Sequence, residues 1–105
     1  MKSRPKLGTP LCATDHLVRV HDIRNDAGRA DCTGWKRWAD TYSFLDAKPV
    51  EGIYVGYRFK QEGFISYYDD EGSVWNETRR YEVWLIADTA HTAPKLVWPE
   101  DCYEV

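Results

Sequence analysis

The sequence predicts a mainly β domain with a minor helical part, built as a small antiparallel barrel of about five to six strands. The chain has 105 residues, enough for one hydrophobic core but not for two. Aromatic residues make up 14% of the sequence, and aromatic side chains favour strands. From Val50 onward, apolar and polar residues alternate at the period of a half-buried strand. These observations together predict the fold class.

The domain organisation follows from the same patterns. No linker rich in Pro, Gly or Ser divides the chain, so residues 1–105 are treated as a single domain. Residues 1–10 are expected to be flexible, and residues 50–105 to form the barrel. An N-terminal strand is predicted over residues 17–23, which are rich in β-branched side chains, and the polar residues 25–34 are predicted to be a loop.

Residues 35–45 fit two structures. Their tryptophans recur at helical spacing, whereas their Thr, Tyr and Phe residues favour a strand. A short helix is preferred. The strand predicted over residues 79–87 is apolar on both faces near its end, so we expect residues 35–45 to cover Trp84 and Ile86.

A hairpin is predicted where Gly63 follows Gln61 and Glu62, since a three-residue hairpin loop commonly needs a glycine at its last position. This register places Phe59 opposite Ile65 and Tyr57 opposite Tyr67.

The remaining turns are predicted from glycine and proline. Gly56 lies inside a strand and predicts a bulge or sharp bend. A second turn is predicted at residues 69–72. Near the end of the chain, residues 95–98, 99–101 and 102–105 predict a strand, a tight turn and a last strand.

Several segments together resemble SH3-like barrels: Gly52-Ile-Tyr-Val-Gly-Tyr-Arg58, the glycine at 63, Val83-Trp-Leu-Ile86 and Leu96-Val-Trp-Pro-Glu-Asp-Cys-Tyr-Glu-Val105. In that fold a last short strand commonly follows one 3₁₀ turn, and Pro99-Glu-Asp101 looks like such a turn. The chain lacks the aromatic-rich first-strand motif of peptide-binding SH3 domains. The resemblance therefore does not imply recognition of Pro-rich ligands.

The segment Trp35-Lys-Arg-Trp38, followed by Gly52-Ile-Tyr-Val-Gly-Tyr-Arg58, is similar in style to small bacteriophage and prophage proteins. This resemblance implies an accessory protein that binds a bacterial host protein. One such role is counter-defence, for example inhibition of a CRISPR effector, in the cytoplasm of the bacterial host.

Charge is unevenly distributed between the two halves of the chain. Residues 1–48 hold 9 Lys or Arg and 6 Asp or Glu, whereas residues 49–105 hold 5 and 11. The second half is therefore acidic, which disfavours general binding of nucleic acid and favours a partner with a basic surface.

The preferred functional hypothesis is a non-catalytic protein-binding module. Three consecutive carboxylates lie in the predicted second turn, with rigid aromatic side chains of the kind enriched at interfaces on either side. The predicted register turns Tyr67 inward, which weakens its candidacy. The binding residues predicted are Tyr67, Tyr68, Asp69, Asp70, Glu71 and Trp75. A homodimer is left open.

Two alternatives remain. A nucleic-acid-binding barrel would use Arg79 and Arg80 beside Tyr81, together with Lys36 and Arg37 between two tryptophans, to stack bases and neutralise phosphates.

The second alternative is a small zinc-stabilised domain, because two cysteines and two histidines could complete a tetrahedral shell. The residues are Cys12, His16, His21 and Cys32, spaced Cys-x3-His-x4-His-x10-Cys without the tight Cys-x2-Cys pair of common zinc modules.

No enzyme and no cofactor are predicted. The sequence has no Gly-x-Ser-x-Gly, no His-Glu-x-x-His and no phosphate-binding glycine loop. Cys102 with His91 is the one nucleophile and base pair considered, and Cys102 is better explained as a small buried residue of the last strand. The odd number of cysteines, 3, and the lack of an apolar run of membrane-spanning length predict a cytoplasmic protein with free thiols.

Overall fold

The computed structural model describes residues 3–24, 30–41, 46–68, 72–88 and 93–105. Every strand pairing in this part of the chain is antiparallel. The described elements are β1 (Pro10–Ala13), β2 (Leu17–Arg24), β3 (Ala30–Arg37), α1 (Trp38–Thr41), β4 (Val50–Tyr68), β5 (Gly72–Ala87), β6 (Lys95–Val97), a 3₁₀ turn (Pro99–Asp101) and β7 (Cys102–Glu104). The predicted class, mainly β with a minor helical part, is confirmed.

The long strand β4 organises the sheet. One of its edges pairs with β1 along residues 50–53 and with β3 along residues 63–66. Its other edge pairs with β5 from residue 53 to residue 68. Outward from these strands, β2 pairs with β3, β7 with β1, and β6 with β5. The path of described strands is open, so the predicted closed barrel is not seen among them.

The hairpin predicted at residues 61–63 is wrong, because β4 continues through these residues to Tyr68. Tyr68 lies opposite Gly72, so the chain reverses between them, where the second turn was predicted. Residues 69–71 themselves lie outside the described part of the chain.

The register of the aromatic residues changes accordingly. Ile65 and Tyr67 lie on the same strand as Phe59 and Tyr57, so the pairs predicted between them are wrong. Tyr57 and Phe59 pair instead with β5, opposite residues 84 and 82.

Two irregularities interrupt the ladder between β4 and β5. The first lies between Tyr54 and Gly56, where Gly56 adopts a φ of +141°, and it confirms the bulge predicted there. The second lies between Glu62 and Gly63. Bulges bend a strand and increase its twist, which lets one continuous strand serve two parts of the sheet.

A buried cluster of described residues joins β1, β4, β5, β6 and β7. Its members are Leu11, Ala13, Val50, Tyr54, Trp84, Ile86, Val97 and Cys102. The Tyr54 and Trp84 rings meet edge to face, with centroids 5.6 Å apart. Burying one large apolar side chain contributes about 1.5–3 kcal/mol, so this cluster is a main source of stability. In this cluster Trp84 and Ile86 lie with residues of β1 and β7. None of the described residues 35–41 belongs to the cluster, so the prediction that residues 35–45 cover Trp84 and Ile86 is not confirmed there.

The N-terminal half contains more strand than predicted. The strand expected over residues 17–23 is confirmed as β2, but the loop expected over residues 25–34 is wrong from Ala30 onward, where β3 begins. Residues 35–37 complete β3, and the preferred helix is limited to Trp38–Thr41. Residues 42–45 lie outside the described part of the chain.

The segment that precedes β1 lies against β4. Gly8 donates its backbone N–H to the carbonyl oxygen of Tyr54, and Tyr54 donates its own N–H to that of Thr9, both at 2.8 Å. Gly8 turns the chain with a φ of +87°, a conformation that favours glycine.

The molecule is elongated, with principal extents of 53 × 30 × 27 Å. Residues 57–82 of β4 and β5 extend beyond the buried cluster, and we call this part of the two strands the β4–β5 arm. No helix formed by the described residues has both the length and the apolar composition that a bilayer span requires.

Candidate functional site

The binding residues predicted from the sequence lie around the end of the β4–β5 arm. The register pairs Tyr67 and Tyr68 with the first two residues of β5. Asp69, Asp70 and Glu71 connect the two strands and lie outside the described residues, as do the side chains of both tyrosines. This part of the site stays a prediction.

Trp75 is the predicted binding residue whose side chain is described. It lies on β5 opposite Ile65 and is 42% exposed. Its indole covers Gly63, where a Cβ atom would lie 2.8 Å from the Trp75 Cζ2 atom and would also collide with the backbone oxygen of Asn76. The absence of a side chain at residue 63 therefore leaves room for the Trp75 indole and for the close approach of the β5 backbone.

Tyr57 and Phe59 form an exposed aromatic pair on β4. Their rings meet edge to face at 5.6 Å, and Phe59 is 59% exposed. The second bulge adds its extra residue to β5, so side chains on β4 alternate without interruption from Tyr57 to Gly63. Tyr57, Phe59 and the Trp75 indole over Gly63 therefore lie on one face, and we call these three side chains the aromatic stripe.

Two members of this stripe, Tyr57 and Phe59, were not predicted as binding residues from the sequence, because the wrong hairpin register assigned them to a buried interior. Tyr57 pairs with Trp84 and Phe59 with Glu82, so both lie on the same face of the sheet as the buried Trp84. They are exposed because β4 extends beyond the end of the buried cluster at this point.

One pair of oppositely charged side chains, Arg4 and Glu82, lies beside the stripe. Arg4 donates to a carboxylate oxygen of Glu82 from Nη2 at 2.6 Å and from Nε at 3.1 Å. The other oxygen of Glu82 accepts the indole N–H of Trp84 at 2.8 Å. The hydrogen bond from Arg4 lowers the pKa of Glu82 below its ordinary value, so this carboxylate is charged at neutral pH.

A second candidate surface is a cleft of about 660 Å³ on the opposite face of the arm. Its aromatic walls are Trp35 and Trp98, and the Tyr81 ring lies 4.8 Å from that of Trp98. The guanidinium of Arg79 lies 4.7 Å from the Tyr81 ring and 5.4 Å from the Trp98 ring. Burial raises the pKa of the Tyr81 hydroxyl above its ordinary value, which keeps it protonated at neutral pH. The structure thus brings to one cleft the two basic and aromatic segments named for the nucleic-acid alternative.

Acidic side chains balance the cations of this cleft. Arg37 binds Asp101 through Nε at 2.7 Å and Nη2 at 3.0 Å. Arg79 pairs with Glu62 at 3.4 Å. Glu100 also lines the cleft, so a phosphate backbone there would meet carboxylates as well as cations.

The zinc alternative involves a region with a clear structural role. His16 stacks on the Trp38 ring with centroids 5.5 Å apart, and its Nδ1 atom lies 3.1 Å from the carbonyl oxygen of Lys48. Cys12 is a free thiol on β1. The side chains of His21 and Cys32 lie outside the described part of the chain, where the zinc hypothesis stays a prediction.

The described residues contain no group of three or more His, Cys, Asp or Glu side chains that could hold a metal ion. Comparisons of the chain with protein-family models, with curated proteins and with solved structures find no match.

Proposed function

We propose that this chain is a non-catalytic protein-binding module that uses the aromatic stripe on the β4–β5 arm. The observation that carries the proposal is the exposure of three aromatic side chains on one face, with Tyr57 37%, Trp75 42% and Phe59 59% exposed. Tyrosine, phenylalanine and tryptophan are enriched at protein interfaces because they bury a large area at a small cost in side-chain entropy.

The dimensions of the stripe support a protein partner. Gly63 lies six positions beyond Tyr57 on the same strand, which corresponds to about 20 Å. This length suits a standard interface patch of roughly 800 Å² on each partner. A single small ligand would leave most of the stripe exposed.

Charge supports a partner with a basic surface. The stripe lies on strands from the acidic half of the chain, and three consecutive carboxylates connect the ends of these strands. Opposite charges accelerate encounter and disfavour wrong partners.

Two more specific interpretations, an SH3-like arrangement of strands and a phage accessory role, belong to the same proposal. The strand order β7-β1-β4-β5-β6, with a 3₁₀ turn before β7, supports an SH3-like arrangement. We propose further that the chain acts as a bacteriophage or prophage accessory protein, and that its acidic half occupies a basic groove of a host protein, such as the nucleic-acid groove of a CRISPR effector.

The proposal is tested by capture from nuclease-treated bacterial lysate with the tagged chain and two stripe variants, Trp75→Ser and Phe59→Ser. Truncating a central interface aromatic costs about 2 kcal/mol or more, or roughly thirtyfold in affinity. We therefore expect the wild-type chain to recover one basic protein stoichiometrically and each variant to lose it.

Tyr103→Ser is the matched control, because Tyr103 is a 54% exposed aromatic residue on β7. It should recover the partner as well as the wild type does. Equal recovery by all four proteins, or recovery of no stoichiometric partner, would contradict the proposal.

A second candidate function is single-strand nucleic-acid binding in the cleft between Trp35 and Trp98. Aromatic faces that stack bases, with cations alongside, are typical of such sites, and Arg79 lies over two of the aromatic rings. The balancing carboxylates place this function second.

This second candidate is tested by titrating a fluorescent single-stranded oligonucleotide at several salt concentrations. Binding should weaken as salt rises and should fall when Arg79 is changed to Ala. Affinity that is unchanged in Arg79→Ala, or no binding at low salt, would exclude the cleft.

A further inference from the structure

Arg4 occupies a site whose other residues all belong to strands of the β4–β5 arm. Arg4 lies outside the sheet, in the segment before β1. Its guanidinium stacks over the Tyr57 ring with 3.6 Å between Cζ and the ring centroid, and lies 6.0 Å from that of Phe59. Two of its nitrogens donate to one oxygen of Glu82. The guanidinium therefore has an aromatic floor and a carboxylate wall.

Both parts of this site are held by the folded strands. Glu82 lies opposite Phe59 and Tyr57 opposite Trp84 in the ladder between β4 and β5. The Glu82 side chain is only 15% exposed, and its second oxygen is fixed by the Trp84 indole. Trp84 is itself 2% exposed in the buried cluster. The carboxylate and the ring are thus preorganised for a cation.

The occupant is attached much more loosely than the site. Among the residues that the structure describes, the nearest backbone hydrogen bond from the Arg4 segment to the sheet is at Gly8, four residues further along the chain. The Arg4 side chain remains 44% exposed. Arg4 therefore behaves as a tethered ligand, present at a high effective concentration but free to exchange with a competitor.

We propose that Tyr57 and Glu82 form an arginine-recognition site that Arg4 occupies within the chain and that an arginine of the basic partner protein takes when it binds. The inference rests on the proposed function, since Tyr57 also belongs to the aromatic stripe. The cleft beside the guanidinium has a volume of about 640 Å³ and is lined by Leu7 and Tyr54, so it has room for the stem of an incoming side chain.

The geometry selects arginine over lysine. A guanidinium is planar, stacks flat on an aromatic ring and donates from two nitrogens along one edge. The Arg4 contacts use both properties, through the 3.6 Å stacking distance and the two donors to Glu82. An ammonium group has neither the plane nor the fixed pair of donors.

The experiment is an NMR titration of the full ¹⁵N-labelled chain with acetyl-arginine methylamide, followed through the Trp84 indole N–H, which binds the same carboxylate. Arg4→Ala empties the site and should bind the probe about tenfold more tightly than the wild type, since only the fraction not occupied by Arg4 is competent. The lysine analogue should bind Arg4→Ala several-fold more weakly than the arginine probe does.

Two further variants complete the test. Lys6→Ala removes a neighbouring exposed cation and should bind like the wild type. Adding Glu82→Gln to Arg4→Ala should abolish the increase in affinity for the arginine probe. If Arg4→Ala fails to fold, Arg4→Lys retains the charge as a weaker occupant and should still bind the arginine probe more tightly than the wild type.

An Arg4 variant that folds but binds the arginine probe no better than the wild type, or binds both probes equally, would overturn the inference. Its failure is distinguishable from failure of the proposed function. If Trp75→Ser loses the partner but Arg4→Ala binds the arginine probe no more tightly than the wild type, only the arginine site is refuted. If Arg4→Ala binds the probe more tightly but Trp75→Ser still captures the partner fully, only the protein-binding stripe is refuted.

Discussion

Asp15 is expected to be one of the residues most sensitive to substitution. It is 3% exposed in the connection between β1 and β2. One carboxylate oxygen accepts the backbone N–H groups of His16 at 2.8 Å and Lys48 at 3.2 Å, and the other accepts that of Ala39 at 3.1 Å. Three segments far apart in the sequence are therefore joined by one side chain, and Asp15→Asn is the smallest change that breaks the junction.

The magnitude follows from these three bonds. An asparagine that keeps its oxygen toward His16 and Lys48 turns its NH₂ group toward the N–H of Ala39, which leaves two donors facing each other. A buried polar group left without a partner costs about 1–3 kcal/mol. The other two bonds lose the charge of their acceptor, at about 1 kcal/mol each or less. We expect a total loss of about 3 kcal/mol, since such terms are not fully additive.

The assay is equilibrium unfolding in urea followed by tryptophan fluorescence. A loss of about 3 kcal/mol should lower the urea midpoint by about 1–3 M with little change in slope. Asp40→Asn is the matched control, because that carboxylate is 62% exposed and 4.0 Å from Arg37, and it should change stability by less than about 0.5 kcal/mol. If the free energy of unfolding of Asp15→Asn lies within about 0.5 kcal/mol of the wild-type value, the Asp15 carboxylate does not join these segments as described.

Three further predictions concern strand packing, pH and an ion pair. Gly52→Ala should destabilise the protein by about 3 kcal/mol, because its Cβ would collide with the backbone oxygen of Ala87. Gly34→Ala should cost less than about 1 kcal/mol, since the atoms nearest to its Cβ would all belong to the flexible Glu62 side chain; urea unfolding compares the two. The pKa of Glu82 is lowered by Arg4 in the folded state, so its contribution to stability is complete above the ordinary pKa of a glutamate and is lost as pH falls through the lowered value, which NMR of the Trp84 indole should follow. Arg37→Lys should cost about 1 kcal/mol by urea unfolding, because lysine cannot reproduce the paired bonds to Asp101.

Each of these predictions has a clear contrary result. Equal stability of the two glycine variants would show that the strands separate freely at residue 52. A Trp84 indole resonance that titrates the same way in Glu82→Gln would mean that another group causes the change. Full stability of Arg37→Lys would show that charge alone, without the planar pair of bonds, joins β3 to the 3₁₀ turn.

Gly63 illustrates what local sequence patterns can and cannot predict. A glycine after two polar residues is typical of a hairpin loop, and the sequence offers no local reason to prefer a bulge. The position requires glycine because a Cβ atom there would collide with the backbone oxygen of Asn76 and with the Trp75 indole. That requirement comes from residues twelve and thirteen positions further along the chain, so a local pattern does not contain it.

The strand β3 was missed for a related reason. Residues 30–34 have little apolar alternation and include a glycine, which favours a loop. They form a strand because β2 pairs with one edge along the whole of β3 and β4 pairs with the other along residues 30–33. Where backbone pairing is supplied from both sides, a weak strand propensity is sufficient.

The candidate site could be predicted only in part. Trp75 was predicted because it is a rigid aromatic residue close in sequence to the acidic turn. Tyr57 and Phe59 depended on knowing where along β4 the buried cluster ends, because both lie on the same face as Trp84 but beyond that cluster. Strands near the end of the chain were predicted well, because proline and short apolar runs fix their limits there.

The pairing of β1 with β7 has a consequence for how the chain is made. Leu11 lies opposite Glu104 and Ala13 opposite Cys102. During synthesis β1 is therefore complete well before β7, its partner on that edge, has been made. At ribosomal rates of roughly 5–20 residues per second, this delay is on the order of 5–20 s. Closing so long a loop costs about 4 kcal/mol of chain entropy. During that interval β1 presents a bare edge to its surroundings, and a nascent chain that stalls before residue 102 should be the species most exposed to chaperones and to aggregation.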